Sequence, residues 1–225
     1  MKGAVLVTGG AKRIGRAVCD VLRARGWTVL VHSRDAANPL RAELSESGAA
    51  ESLFRRALDA APDLRAIVNN ASSFSTAPEL PPAESARLQR VNAAAPIELT
   101  SLLARRMRET GRRGAVVNLL DVRVLGSDDV CLTPYGRSKA VLRDATRRQA
   151  REEAPFVRVN AVAPGPVLAP AEPSCAEPGG AVLLDRRPSP EDVAQAVAFL
   201  LEAESLTGQI LAVDAGQSLL RDCLP

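Results

Sequence analysis

Aromatic and imidazole side chains are scarce in this chain: one tyrosine, one histidine, one tryptophan and four phenylalanines in 225 residues. The four cysteines, Cys19, Cys131, Cys175 and Cys223, lie far apart with no CxxC pair, so neither a disulfide framework nor a zinc site is indicated and no metal is expected. A reducing cytoplasm is the simplest setting. Basic residues number 29 against 26 acidic ones, a net charge of +3, and the arginines are scattered, which gives no support for binding nucleic acid through a basic stripe. Apolar runs such as Ala196 to Leu201 fall far short of the roughly 20 residues that a membrane span needs. An apolar strand begins by Ala4, too early for an export signal to precede it, so a soluble protein is expected, neither exported nor membrane-bound.

What is present is an alternation of short β-rich apolar runs with longer helical patterns. Ala4 to Val7, Thr28 to Val31, Ala66 to Asn69, Ala115 to Leu119, Val157 to Val162 and Gln209 to Val213 read as strands, with a possible further strand near Leu40 to Leu44. This order predicts one α/β domain over 1–225, a doubly wound, mostly parallel sheet with helices on both faces. Only about five residues separate Arg34 from Leu40, fewer than the dozen or so that a helical crossover needs, so the second crossover is expected to be shortened. Helix boundaries are marked by Gly26 after the first helix and by Ser189-Pro190-Glu191-Asp192 before a later one. The proline-rich stretch 164–190 lacks periodicity and is expected to form an irregular lid over the substrate.

Three turns carry the chemistry. After the first strand comes Thr8-Gly9-Gly10-Ala11-Lys12-Arg13-Ile14-Gly15, where glycines let the backbone approach a pyrophosphate and the following helix aims free N–H groups at it. After the second comes His32-Ser33-Arg34-Asp35. The acid that would hold a ribose 2′-hydroxyl is replaced there by His32 or Ser33, with Arg34 alongside to bind a 2′-phosphate, which favours NADPH over NADH; Asp35 is the counter-argument. His32 is expected to shape this corner of the site without a catalytic part. In the third, Asn70-Ala71-Ser72-Ser73-Phe74, small residues let a flat ring lie against the backbone and Phe74 could stack on a second ring.

Tyr135 stands four residues before Lys139, a spacing that puts both on one helix face about 6 Å apart along the axis. An adjacent ammonium favours phenolate and is expected to lower a phenol pKa that normally sits at about 10.

These motifs, with Asn92, Asn118 before a loop, and Pro164-Gly165, occur in the order found in short-chain dehydrogenases/reductases, which the chain resembles over essentially its whole length. The resemblance implies a Rossmann-type fold and an oxidoreductase in which Tyr135 delivers a proton, Lys139 holds the nicotinamide ribose, and Asn92 supports a proton-relay water. Cofactor contacts would come from Gly9, Lys12, Arg13, Ile14, His32, Ser33, Arg34, Asn70, Ala71, Ser72, Tyr135, Lys139, Pro164 and Gly165. It also implies a homo-oligomer, a dimer or tetramer, built on the helices that begin near Ala83 and Pro134.

Four departures from the commoner pattern look like the pteridine reductase and dihydromonapterin reductase branch: Arg13 in the glycine turn, Arg34 after the second strand, Asn70 to Phe74, and Asp121 where a serine usually binds a carbonyl. A carboxylate repels the charge that develops on a carbonyl oxygen, but it accepts from the amino and N–H groups of a pterin. The implied substrate contacts are Arg13, Ser72, Phe74, Asp121 and Tyr135, with Asp121, Tyr135, Lys139 and Asn92 as the catalytic group. Two alternatives stay open: an NADPH-dependent carbonyl reductase for an oxoacyl, sugar or steroid-like substrate, and a non-catalytic NADP(H)-binding regulator.

Overall fold

The computed structural model describes residues 2–126, 133–167 and 182–221. Among them six strands form one sheet, β1 (Ala4–Val7), β2 (Thr28–Val31), β3 (Leu64–Asn69), β4 (Gly114–Leu119), β5 (Val157–Pro164) and β6 (Ile210–Val213). All pairings are parallel and the order is β2-β1-β3-β4-β5-β6, so the sheet reverses direction of growth between β1 and β3. A ligand crevice is expected outside the strand C-termini at such a reversal.

Helices α1 (Arg13–Ala24) and α6 (Pro190–Glu202) cover one face of the sheet. Helices α2 (Ala49–Ala60), α4 (Ala95–Thr110) and α5 (Pro134–Glu152) cover the other, and α3 (Pro82–Gln89) leads into α4 through a π turn at Arg90–Ala94. Strand side chains alternate between two cores: Val5, Val7, Val68 and Val117 join Val18, Leu22 and Val197, while Leu6, Ile67 and Val116 join Leu53, Leu99 and Leu103. Burial on both faces is why the central strands read as unbroken apolar runs. Each fully buried Val or Leu contributes about 1.5–3 kcal/mol to holding the layers together. A short helix, α7 (Gln217–Arg221), follows β6.

The expected strand near Leu40 to Leu44 does not form. The segment between β2 and α2 is a series of turns, the first closed by the Asn38 N–H on Asp35 O at 2.9 Å and the next by the Leu40 N–H on Asn38 Oδ1 at 2.8 Å. Leu40 and Leu44 are nonetheless buried in the core with Ala42 packed beside them, which is why the spacing imitates a strand. With no strand at Leu40 to Leu44, the connection from β2 is not the shortened crossover expected but runs through these turns into helix α2 and on to β3, and β2 is left as the sheet edge. Ser189 caps α6 as expected, its hydroxyl accepting from the Asp192 N–H while Asp192 accepts from the Ser189 N–H.

Of the expected lid over 164–190, residues 168–181 lie outside the described residues. At its two ends Val167 packs on the α1/α6 core and Leu183 donates its N–H to Ala215 O at 2.9 Å. Among the described residues no helix is long and apolar enough to cross a membrane, and no cluster of His, Cys, Asp and Glu could hold a metal.

Candidate active site

The loops after β1, β2 and β3 enclose a cleft of 480 Å³ lined by Gly9, Lys12, Arg13, Ile14, His32, Ser33, Arg34, Asn70, Ala71 and Ser72, among others. Its floor is main chain in close contact. A Cβ on Gly15 would lie 2.2 Å from Gly9 O and 2.5 Å from Asn70 Nδ2, and Gly9 itself has φ +65°. Asn70 Nδ2 donates to Thr8 O and Gly9 O, and Thr8 Oγ1 accepts from the N–H groups of Asn70 and Ala71, which ties the β1 and β3 turns together. Helix α1 begins without a side-chain cap and without an acid in its first turn, so its leading N–H groups are left for an anion. Arg13, where the commoner turn has glycine, adopts φ +53°, a conformation that strains any residue with a Cβ.

Charges ring the cleft rather than line its floor. Lys12 Nζ lies 3.6 Å from Asp35 Oδ1, and Arg34 and Arg87 both pair with Glu43, at 3.6 and 3.1 Å. Asp35, the counter-argument to NADPH, is thus countered by Lys12. His32 is buried, with Nδ1 accepting from the Gly9 N–H at 3.2 Å and Nε2 facing Ala42 O at 3.1 Å. Burial pulls its pKa below the ordinary value and both nitrogens are used by main chain, so the ring braces the glycine turn in its neutral form. Ser33 Oγ accepts from the Asp35 N–H at 3.1 Å. Glycine spacing, an open helix N-terminus and flanking cations together fit the pyrophosphate and phosphates of a dinucleotide.

Tyr135, Lys139 and Asp121 form a second, buried group at the end of β4. Tyr135 Oη donates to Asp121 Oδ2 at 3.1 Å, and Lys139 Nζ donates to Leu119 O at 2.9 Å and lies 5.8 Å from the Tyr135 ring centre. The expected lowering of the Tyr135 pKa is not what this arrangement gives. Burial, and next the Asp121 carboxylate that accepts its proton, push the phenol well above 10, while Arg123 opposes. Burial pulls Lys139 down to about 8, with Asp121 opposing. Burial would raise Asp121, but the hydrogen bonds and charge of Arg123, helped by Lys139, hold it below the usual carboxylate range. Asp121 also accepts from the Arg123 N–H, capping the 3-10 turn Val122–Val124.

Arg123 and the cleft residues Glu43 and Arg87 belong to no motif in the sequence. The guanidinium of Arg123 grips both Asp121 oxygens, Nε to Oδ1 at 2.9 Å and Nη2 to Oδ2 at 2.8 Å, and lies 5.3 and 5.8 Å from the Tyr135 and Phe74 ring centres. Phe74 meets Tyr135 edge to face at 4.9 Å. An aspartate with an arginine two residues on is the one signal the chain offered.

Asn92 joins the two groups. Set in the π turn, its Oδ1 accepts from Ser73 N and Ser72 Oγ, and its Nδ2 donates to Ser73 O and Ser138 Oγ, which ties the β3 loop to α5. Its amide oxygen and nitrogen are both engaged in these bonds. Asn118 is likewise engaged, accepting from Asn69 Nδ2 and donating to Thr146 Oγ1 across the core. Pro164 and Gly165 lie at the C-terminal end of β5 and do not line the cleft; Gly165 packs on Asp214, where a Cβ would come within 2.8 Å.

A family model described as enoyl-(acyl carrier protein) reductase matches residues 9–218. Carbonyl reductase family member 4 of Xenopus tropicalis is 32% identical, with 95% of this chain and 97% of the relative covered. Dihydromonapterin reductase of Citrobacter koseri is 29% identical with 96% of each covered. The solved structure of FolM alternative dihydrofolate reductase 1 from Brucella suis, in complex with NADP, superposes with a TM-score of 0.82 at 33% identity, covering 96% of this chain and 95% of the other.

Proposed function

The chain belongs to the short-chain dehydrogenase/reductase family, and we propose that it is an NADPH-dependent reductase of a pterin-like C=N bond, in a dihydropterin or dihydrofolate-like compound. The observation that carries the reading is the bond from Tyr135 Oη to Asp121 Oδ2. While the carboxylate accepts from the phenol, the proton is held. A substrate whose own N–H donors occupy Asp121 removes that acceptor and eases release of the proton; a simple ketone has no such donors. The similarity to dihydromonapterin reductase and to an alternative dihydrofolate reductase solved with NADP supports the same substrate class and cofactor.

The residues of the cleft fit NADPH: the glycine turn and the α1 N-terminus would receive the pyrophosphate, Arg34 and Ser33 the 2′-phosphate, and Lys139 the nicotinamide ribose. When bound, the cofactor supplies hydride to the carbon of the C=N bond. Tyr135 then gives its proton to the nitrogen, so that one C–H and one N–H bond form, and the ammonium of Lys139 stabilises the phenolate left behind. Phe74 offers a face for the ring, while Arg13 and Ser72 stand between ring and phosphates. Asn92 fixes the Ser72–Ser73 turn against α5.

Following NADPH oxidation with a 7,8-dihydropterin and with simple ketones tests this. Turnover of the dihydropterin is expected; turnover of ketones alone would replace it with the carbonyl-reductase reading, which the likeness to carbonyl reductase family member 4 favours. Self-association through α5, whose Val141 is exposed, and residence in the reducing cytoplasm belong to the same proposal. Light scattering tests the first, expecting twice or four times the monomer mass.

A further inference from the structure

The carboxylate that the substrate needs is already occupied. Arg123 presents two parallel N–H donors to the two oxygens of Asp121, at 2.9 and 2.8 Å, and its flat guanidinium lies near the faces of Tyr135 and Phe74. These are two separate requirements, an N–C–N donor fork in the plane of the carboxylate and a flat group beside the aromatics. A 2-amino-substituted, N–H-bearing heterocycle meets both. We propose that Arg123 is a placeholder that imitates the substrate's aminopyrimidine edge, is displaced by it on binding, and thereby sets which ligands can enter.

The local structure allows such an exchange. Arg123 is 42% exposed, so its head can move into water without opening the core. The Arg123 N–H still donates to Asp121 Oδ1 at 2.9 Å after the side chain leaves, which keeps the carboxylate aimed. A ligand with the fork restores the two charge-assisted bonds that were broken. One without it, such as a ketone, leaves Asp121 uncompensated next to the developing negative charge, so the placeholder discriminates as well as yields. Arg123 is in this sense a specificity-determining residue rather than a proton carrier.

The inference rests on the pterin-like reading, and the test separates the two. Binding of pterin, whose 2-amino group and N3–H form the fork, to the enzyme preloaded with NADP+ is measured by calorimetry for the wild type, Arg123→Ala and Arg123→Lys, with Asp121→Asn as the control for loss of the carboxylate. Arg123→Ala is expected to bind about five- to tenfold more tightly, with a lowered KM for a dihydropterin, because nothing has to leave. Arg123→Lys, a point charge without a fork, is expected to fall between the two, and Asp121→Asn to weaken binding at least tenfold. An unchanged melting temperature shows that the variants fold. Wild-type binding with an equal or weaker Arg123→Ala overturns the placeholder and leaves the substrate reading standing. No binding by either, in proteins that still bind NADP+, overturns the substrate reading and the placeholder with it.

Discussion

Around the cleft the chain works with main chain and solvated charge, whereas around Tyr135 it works with buried side chains whose polar atoms are committed to one another. Lys12 and Arg34 are 75% and 72% exposed and reach their acids at 3.6 Å, pairs that water screens and that contribute little to stability. Asn92, Ser138 and Lys139 are buried, and each bonds another part of the chain. Two ways of holding a ligand follow. The first can trade charge for charge in small steps, while the second fails as a unit when one member is lost.

The sharpest test of that contrast is Tyr135→Phe. Removing one oxygen should cut kcat by about 10³-fold, since the phenol is the proposed proton donor. NADPH affinity should stay within a few-fold, because the cleft does not depend on the phenol. Fluorescence titration beside steady-state kinetics separates the two quantities. Undiminished turnover would remove Tyr135 from the chemistry.

Asn92→Ala should cost about 2–4 kcal/mol of unfolding free energy, because it strands partners on both the β3 loop and α5. Urea denaturation measures this. A loss below about 1 kcal/mol would mean that the two groups of the site are held together by packing alone. In the cleft a smaller, more selective effect is expected. Arg34→Ala should weaken NADPH about tenfold and leave NADH unchanged, and the difference should shrink as salt is raised. Equal losses for both cofactors would place the 2′-phosphate elsewhere.

How much of this could be read beforehand follows the same division. Glycines that permit a close approach, and a tyrosine one helical turn ahead of a lysine, are local requirements, so Gly9, Gly15, Tyr135 and Lys139 stand out in the linear chain. The sheet was legible for a related reason, since strands buried on both faces, such as β3 and β4, are continuous apolar runs. The segment at Leu40 to Leu44 deceived because a turn that dips two leucines into the core has the period of a strand. Arg123 was missed because its meaning depends on distant partners. An arginine near an aspartate is common, and only the fold brings Phe74 and Tyr135 against it. The upward shift of Tyr135 is hidden from the sequence on the same ground: burial raises it first and Asp121, from another loop, raises it next, while the linear chain shows only Lys139 one helical turn away.

Lys139 belongs to the buried group, yet its charge can be removed by pH alone, which makes it the finest probe of the contrast. Burial pulls it from 10.5 to about 8, with Asp121 opposing, so the ammonium is complete below about pH 7 and lost as pH rises through 8. If that charge holds the nicotinamide ribose, NADPH affinity should fall several-fold between pH 7 and 9.5. Lys139→Met should bind NADPH more weakly at pH 7 and show no such slope. Stability moves the other way. Between 8 and 10.5 the unfolded chain binds more protons at this position than the folded one, so this lysine's contribution to stability rises with pH across that window. Weaker binding at pH 9 therefore cannot be charged to this group loosening the fold. A flat affinity over the range would show that Lys139 holds the site through its bond to Leu119 O and not through its charge.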